Sequence, residues 1–169
     1  MKTEACPAKN SELNELFNKY GTDKDRNGYA GLYYGILRTQ RNDVLKVLEI
    51  GIGTMIPGVQ SSMVGYSLPG YKPGGSLRAW RDWFPNAEIH GIDIQPDCMF
   101  TEERITTHLC DTGDTGAVLK IIKEIDNPKF DLIVDDGLHS PESQLSVLLN
   151  FWPCVRSGGI YVVEDISRV

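Results

Sequence analysis

The stretch VLEIGIGT, residues 47–54, constrains the fold more than any other part of the chain. It is a short apolar run ending in glycine, the pattern of a strand buried on both faces of a parallel sheet. Gly51 and Gly53, one residue apart, allow a tight turn and a close backbone approach to a ligand. A dinucleotide fingerprint needs a third glycine three residues further on, where a helix opens onto the pyrophosphate. Ile56 stands there, and the next helical pattern begins only at Ser76. A nicotinamide oxidoreductase is therefore disfavoured.

Apolar periodicity predicts the remaining elements. Helices are expected over residues 11–20, 29–39, 76–84 and 114–125, and from Ser140 onward. Strands are expected over 44–50, 88–94, 105–109, 130–134 and 160–163. Ser11 suits a cap for the first helix, whose Leu13, Leu16 and Phe17 share a face. The fourth helix has a stripe of Val118, Ile121, Ile122 and Ile125. In the fifth, Pro141 and Glu142 follow a capping Ser140, and Leu145, Val147, Leu148, Leu149 and Phe151 follow. Gly158 and Gly159 are expected to turn the chain into its last strand.

Strands alternating with helices imply a doubly wound α/β domain with a mainly parallel sheet of five strands. One domain is expected overall, with residues 1–40 as a helical segment or lid and residues 41–169 as the core. Ligands of such sheets bind where the carboxyl ends of the strands open into a crevice. Residues 51–75 form a long Gly/Pro/Ser-rich stretch, long enough to suggest a functional lid. Its Met63, Tyr66 and Tyr71 can close over a ligand or simply face solvent. Trp80, Trp83 and Phe84 read as packing aromatics, as does one face of Tyr29, Tyr33 and Tyr34.

Composition narrows the function classes. The chain has 169 residues, 41% of them hydrophobic, enough for one real core. A net charge of -6 with scattered Lys and Arg argues against a nucleic-acid footprint. No secretory signal or apolar run of membrane-spanning length is present. Cys6, Cys98, Cys110 and Cys154 are far apart and form no CxxC pair, which suits reduced thiols in a cytoplasm.

Acids cluster at the predicted strand ends. Asp93 closes HGIDI, where a carboxylate can accept hydrogen bonds from ribose hydroxyls; a solvated strand-end acid is the alternative. Asp111, after the third strand, is a candidate for an adenine edge, or a cap. Asp135 and Asp136 end the fourth strand, and Glu164 and Asp165 the fifth. If those ends are neighbours, up to four carboxylates converge, and a bound cation relieves their repulsion. An all-oxygen shell favours magnesium, or manganese or calcium, over zinc. Such an ion can chelate two hydroxyls of a substrate and stabilise the alkoxide forming on one. His139, three residues beyond Asp136, is placed to take the proton; His90 and His108 lie within strand patterns and read as structural.

These residues, with KYGTDK (19–24), GGSLRAWRDWFPNAEIHGIDI (74–94), DLIVDDGLH (131–139) and GGIYVVEDI (158–166), resemble class I S-adenosylmethionine-dependent methyltransferases. The closer similarity is to the metal-dependent sugar O-methyltransferases typified by the macrocin, mycinamicin and novobiocin tailoring enzymes. The resemblance implies adenosylmethionine contacts at Glu49, Gly51 and Gly53 and a ribose contact at Asp93. It also implies a magnesium site of Asp136, Glu164 and Asp165, with His139 as base and a sugar hydroxyl as acceptor. Where the family tends to have a histidine shortly after KYGTDK, this chain has Asn27. A catechol-type O-methyltransferase and a non-catalytic adenosylmethionine-binding module are the competing readings. Domains of this class usually continue for two further strands, so the apolar IYVV strand is expected as an open edge that favours a homo-oligomer.

Overall fold

The computed structural model describes residues 11–166. In it a six-stranded sheet separates two helical layers. The strands are β1 (Lys46–Ile50), β2 (Glu88–Asp93), β3 (Thr101–Glu102), β4 (Ile105–Leu109), β5 (Phe130–Asp135) and β6 (Val155–Val163). Their order across the sheet is β3-β4-β2-β1-β5-β6. All neighbours run parallel except β3 against β4. Successive strands step outward from β1 to one edge and then return to its other side. That reversal between β1 and β5 creates the crevice typical of doubly wound sheets.

Five helices cover the sheet: α1 (Glu12–Lys19), α2 (Tyr29–Leu37), α3 (Gly75–Trp83), α4 (Thr115–Glu124) and α5 (Pro141–Phe151). Alternation along β1 explains the two layers. Val47 joins the core beneath α1, α2 and α3, whereas Leu48 and Ile50 join the one beneath α4 and α5. Trp80 anchors the first core. It is fully buried, with Phe17 and Tyr33 set edge-on to it at 5.0 and 4.9 Å. Truncating such a side chain to alanine costs about 3–5 kcal/mol. Residues 12–37 therefore share a core with α3, and their helices form part of the sheet's covering layer.

Local signals placed most ends correctly. Ser11 caps α1 in a reciprocal box with Asn14. Ser140 caps α5, accepting from the Ser143 amide at 3.2 Å. Buried Asp131 ties β1 to β5, its Oδ2 accepting from the Leu45 and Lys46 amides, both at 2.8 Å.

Two expectations are corrected. The sheet has a sixth strand, β3, two residues long and too short to show a period. Gly158 and Gly159 lie inside β6, where the pairing with β5 shifts register between Phe130 and Leu132. They form an irregularity within the strand and not a turn before it. On α5, Gln144, Val147 and Phe151 are the buried residues, while Leu145 and Leu149 face outward at 56% and 67% exposure.

Candidate active site at the strand tips

The carboxyl ends of the central strands open into a cleft of about 1110 Å³. Its floor is the turn after β1. Gly51 and Gly53 hold φ at 87° and 84°, a region that disfavours residues with a Cβ. A Cβ on Gly51 would lie 2.0 Å from the Asp136 carbonyl oxygen, so the turn is pressed against the tip of β5.

Asp93 organises this turn. Its Oδ2 accepts from the Ile52 and Gly53 amides at 2.7 and 3.2 Å, and Oδ1 accepts from the Gln95 amide at 2.8 Å. It lines the cleft but is buried and bonded to backbone. Asp111 lies at the rim, its Oδ1 accepting from the Gly113 amide at 2.9 Å. Glu49 is buried, with Ser76 Oγ donating to Oε1 at 2.5 Å and Trp80 Nε1 to Oε2 at 2.6 Å. Burial raises its pKa, opposed by Lys24. Tyr71, in the loop after β1, reaches back to donate to the Ile52 and Gly53 carbonyls at 2.9 and 3.0 Å. It therefore anchors the loop. Tyr66, at the lip, is 64% exposed.

β5 and β6 are adjacent and parallel, so their tip acids meet. Between them lies Lys24, which the sequence alone did not single out. Its Nζ is 2.7 Å from Asp136 Oδ2, 2.7 Å from Glu164 Oε2 and 3.6 Å from Glu49 Oε1. Burial works against the ammonium charge, but these three carboxylates outweigh it and hold its pKa well above the ordinary value. Burial pushes Glu164 up, with Lys24 pulling it back. Asp136 also loses hydration, yet Lys24 and His139 hold it below the usual range.

Helix α2 braces the β6 tip with two tyrosines. Tyr33 OH donates to Glu164 Oε1 at 2.5 Å. Tyr29 OH donates to Asp165 Oδ1 at 2.6 Å and accepts from the Asp165 amide at 2.8 Å. Asp165 has a φ of 49°, unusual for a residue with a Cβ, and Tyr29 secures it there. Asp135 turns away, accepting from Tyr161 OH at 3.4 Å and the Gly137 amide at 3.3 Å, and burial lifts its pKa to about 6.

His139 stands at the mouth. Nε2 is 3.3 Å from Asp136 Oδ1, and Nδ1 is 3.8 Å from Asp165 Oδ2. Hydrogen bonding to Asp136 raises its pKa, opposed by burial. Asp136, His139 and Asp165 each offer one ligand atom, all within 4.8 Å of one another. The two carboxylates, facing a polar cleft with the imidazole beside them, fit a hard divalent ion with positions left for water or hydroxyls. Glu164 lies outside that trio, drawn inward by Lys24 and Tyr33. The sequence signal for Lys24 was the KYGTDK run, and for the tyrosines their helical spacing; neither disclosed its partners.

The family described as a methyltransferase domain matches residues 70–166. The chain belongs to this methyltransferase domain family. Among curated relatives, demethylmacrocin O-methyltransferase of Streptomyces fradiae is 35% identical over 95% of the chain and 38% of its own length. Mycinamicin VI 2''-O-methyltransferase of Micromonospora griseorubida is 33% identical over 95% of the chain and 37% of its own length. Among solved structures, the MycE methyltransferase of mycinamycin biosynthesis, in complex with Mg, SAH and mycinamycin VI, superimposes with a TM-score of 0.75 at 33% identity. That match covers 92% of this chain and 39% of MycE. The chain thus spans less than two fifths of the relatives it matches.

Proposed function

We propose that the cleft binds S-adenosylmethionine and that the protein transfers its methyl group to a sugar hydroxyl with help from magnesium or manganese. The observation that carries this reading is the meeting of Asp136, Asp165 and His139 within 4.8 Å at the mouth of the cleft floored by Gly51 and Gly53. The named relatives, all O-methyltransferases of glycosylated natural products, support a sugar acceptor.

In this reading the Gly51–Gly53 turn, Glu49, Asp93 and Asp111 line the donor site. Asp136 and Asp165 hold the ion, while Glu164 stays behind them with its oxygens bonded to Lys24 and Tyr33. When bound, that ion lowers the pKa of an acceptor hydroxyl and orients it. His139 takes the hydroxyl proton on a ring nitrogen, and Asp136 orients the imidazole and stabilises the charge it gains. Tyr29 and Tyr33 fix the β6 acids so that little reorganisation accompanies the reaction. The residues of the cleft walls position donor and acceptor in line.

Calorimetry with S-adenosylmethionine and with NAD, followed by methyl transfer in magnesium to macrolide glycosides that lack the sugar O-methyl group, tests the proposal. Donor binding and transfer are expected; binding of NAD instead overturns it. Donor binding without transfer favours a second reading, an adenosylmethionine-binding module. We further propose a cytoplasmic homo-oligomer. Its support is the buried, disulfide-free thiols of Cys98, Cys110 and Cys154 and the edge position, among the described residues, of the apolar IYVV end of β6.

A further inference from the structure

Lys24 is buried to 2% side-chain exposure, and the chemistry above gives its ammonium no part. It is set firmly in place by the turn between α1 and α2. The Lys24 carbonyl accepts from the Ala30 amide at 3.2 Å, and its amide donates to Thr22 Oγ1 at 3.4 Å. The three acids it meets come from the tips of three strands, β1, β5 and β6. Other donors to Glu49 and Glu164 are neutral: Ser76 and Trp80 for the first, Tyr33 for the second. Carboxylates withdrawn from water this close together repel unless a cation lies among them.

We propose that Lys24 is the resident cation of the strand tips, a positioning residue that keeps Glu49, Asp136 and Glu164 assembled without a divalent ion and sets how tightly that ion is held. The inference rests on the ion site proposed above. Asp136 divides its oxygens between two directions, Oδ2 to Lys24 and Oδ1 to His139 and the cleft. Lys24 thus neutralises from behind the carboxylate that an ion engages from the front. Such partial neutralisation weakens the grip on a dication and leaves it free to exchange ligands with an incoming hydroxyl. A divalent ion can in turn replace the charge that Lys24 supplies.

The test compares the full chain with Lys24→Met and Lys24→Arg. Mn²⁺ affinity is read by electron paramagnetic resonance, and thermal unfolding is followed in EDTA and in saturating Mn²⁺. Lys24→Met is expected to bind Mn²⁺ about tenfold or more tighter, because a like charge has left its neighbourhood. It should unfold at lower temperature in EDTA and recover most of that loss in Mn²⁺, while Lys24→Arg stays near wild type. An unchanged Mn²⁺ affinity in Lys24→Met overturns the proposal. So does a Lys24→Met chain that is unfolded in both EDTA and saturating Mn²⁺, since the ion then cannot replace the ammonium. A wild-type chain that takes up no Mn²⁺ overturns the ion site itself, whereas uptake unaffected by Lys24 removes only this residue's part.

Discussion

Asp136 holds Lys24 at 2.7 Å with one oxygen and His139 at 3.3 Å with the other, joining a buried ammonium to an exposed imidazole through a single carboxylate. Asp136→Asn should therefore disturb both the ion and the base. We expect transfer to fall by about 100-fold or more with donor affinity preserved. Turnover near wild type, measured beside calorimetry with S-adenosylmethionine, would remove the metal from the reaction.

Tyr29 holds Asp165 by both its carboxylate and its amide. Removing that hydroxyl in Tyr29→Phe frees a residue with positive φ to relax. Divalent affinity should weaken by about tenfold, the scale typical of losing a group that orients a ligand. Titration with Mn²⁺ checks this, and equal affinities would show that Asp165 needs no brace.

Gly51 has no room for a methyl group. Gly51→Ala places a carbon 2.0 Å from the Asp136 carbonyl at a φ that alanine disfavours. A loss of about 2–4 kcal/mol is expected. Chemical unfolding measures it, and a variant as stable as wild type would show that the turn is not closely packed.

Acid should weaken the fold through the sheet. His90 Nδ1 lies 3.1 Å from His108 Nε2, and the rings stack. Burial, then His108 and Lys46, lowers the His90 pKa to about 4. An unfolded histidine titrates near about 6.5, so below that pH the unfolded chain takes up the proton first. Stability is intact above about 6.5 and is lost as pH falls toward 4, by about 2 kcal/mol after discounting partial exposure. Urea midpoints across this range should slope for wild type and flatten for His90→Gln; identical slopes would clear the pair of this role.

Among the described residues β6 lies at the edge of the sheet, and Leu145, Leu149 and Trp152 stand exposed on α5 and the turn that follows it. Self-association is expected at micromolar concentration. Sedimentation should show Leu149→Glu shifted toward monomer, and a monomeric wild type would end the idea.

Much of this molecule is legible in its sequence. Apolar runs such as Phe130–Asp135 are buried throughout, and local signals such as Ser140 followed by Pro141 act within a few residues. The acids of DDGLH and VVED were legible because their strands end where the apolar runs end. Lys24 was not, because its partners lie 112 and 140 residues away and only the folded sheet brings them near. The HGIDI run places Asp93 at a strand end. Its bonds to the Ile52 and Gly53 amides depend on how the first turn curls across the second strand, which periodicity does not encode. The Gly158–Gly159 pair misled for a similar reason: glycine marks both turns and strand irregularities, and only pairing with β5 distinguishes them.

The contact between Gly51 and the Asp136 carbonyl also bears on redesign. Since the Gly51–Gly53 turn and the acid corner share one wall with no spare width, remodelling either would drag the other with it. On the proposed reading, changes of acceptor scope belong at the outer lip, where Tyr66 faces open water.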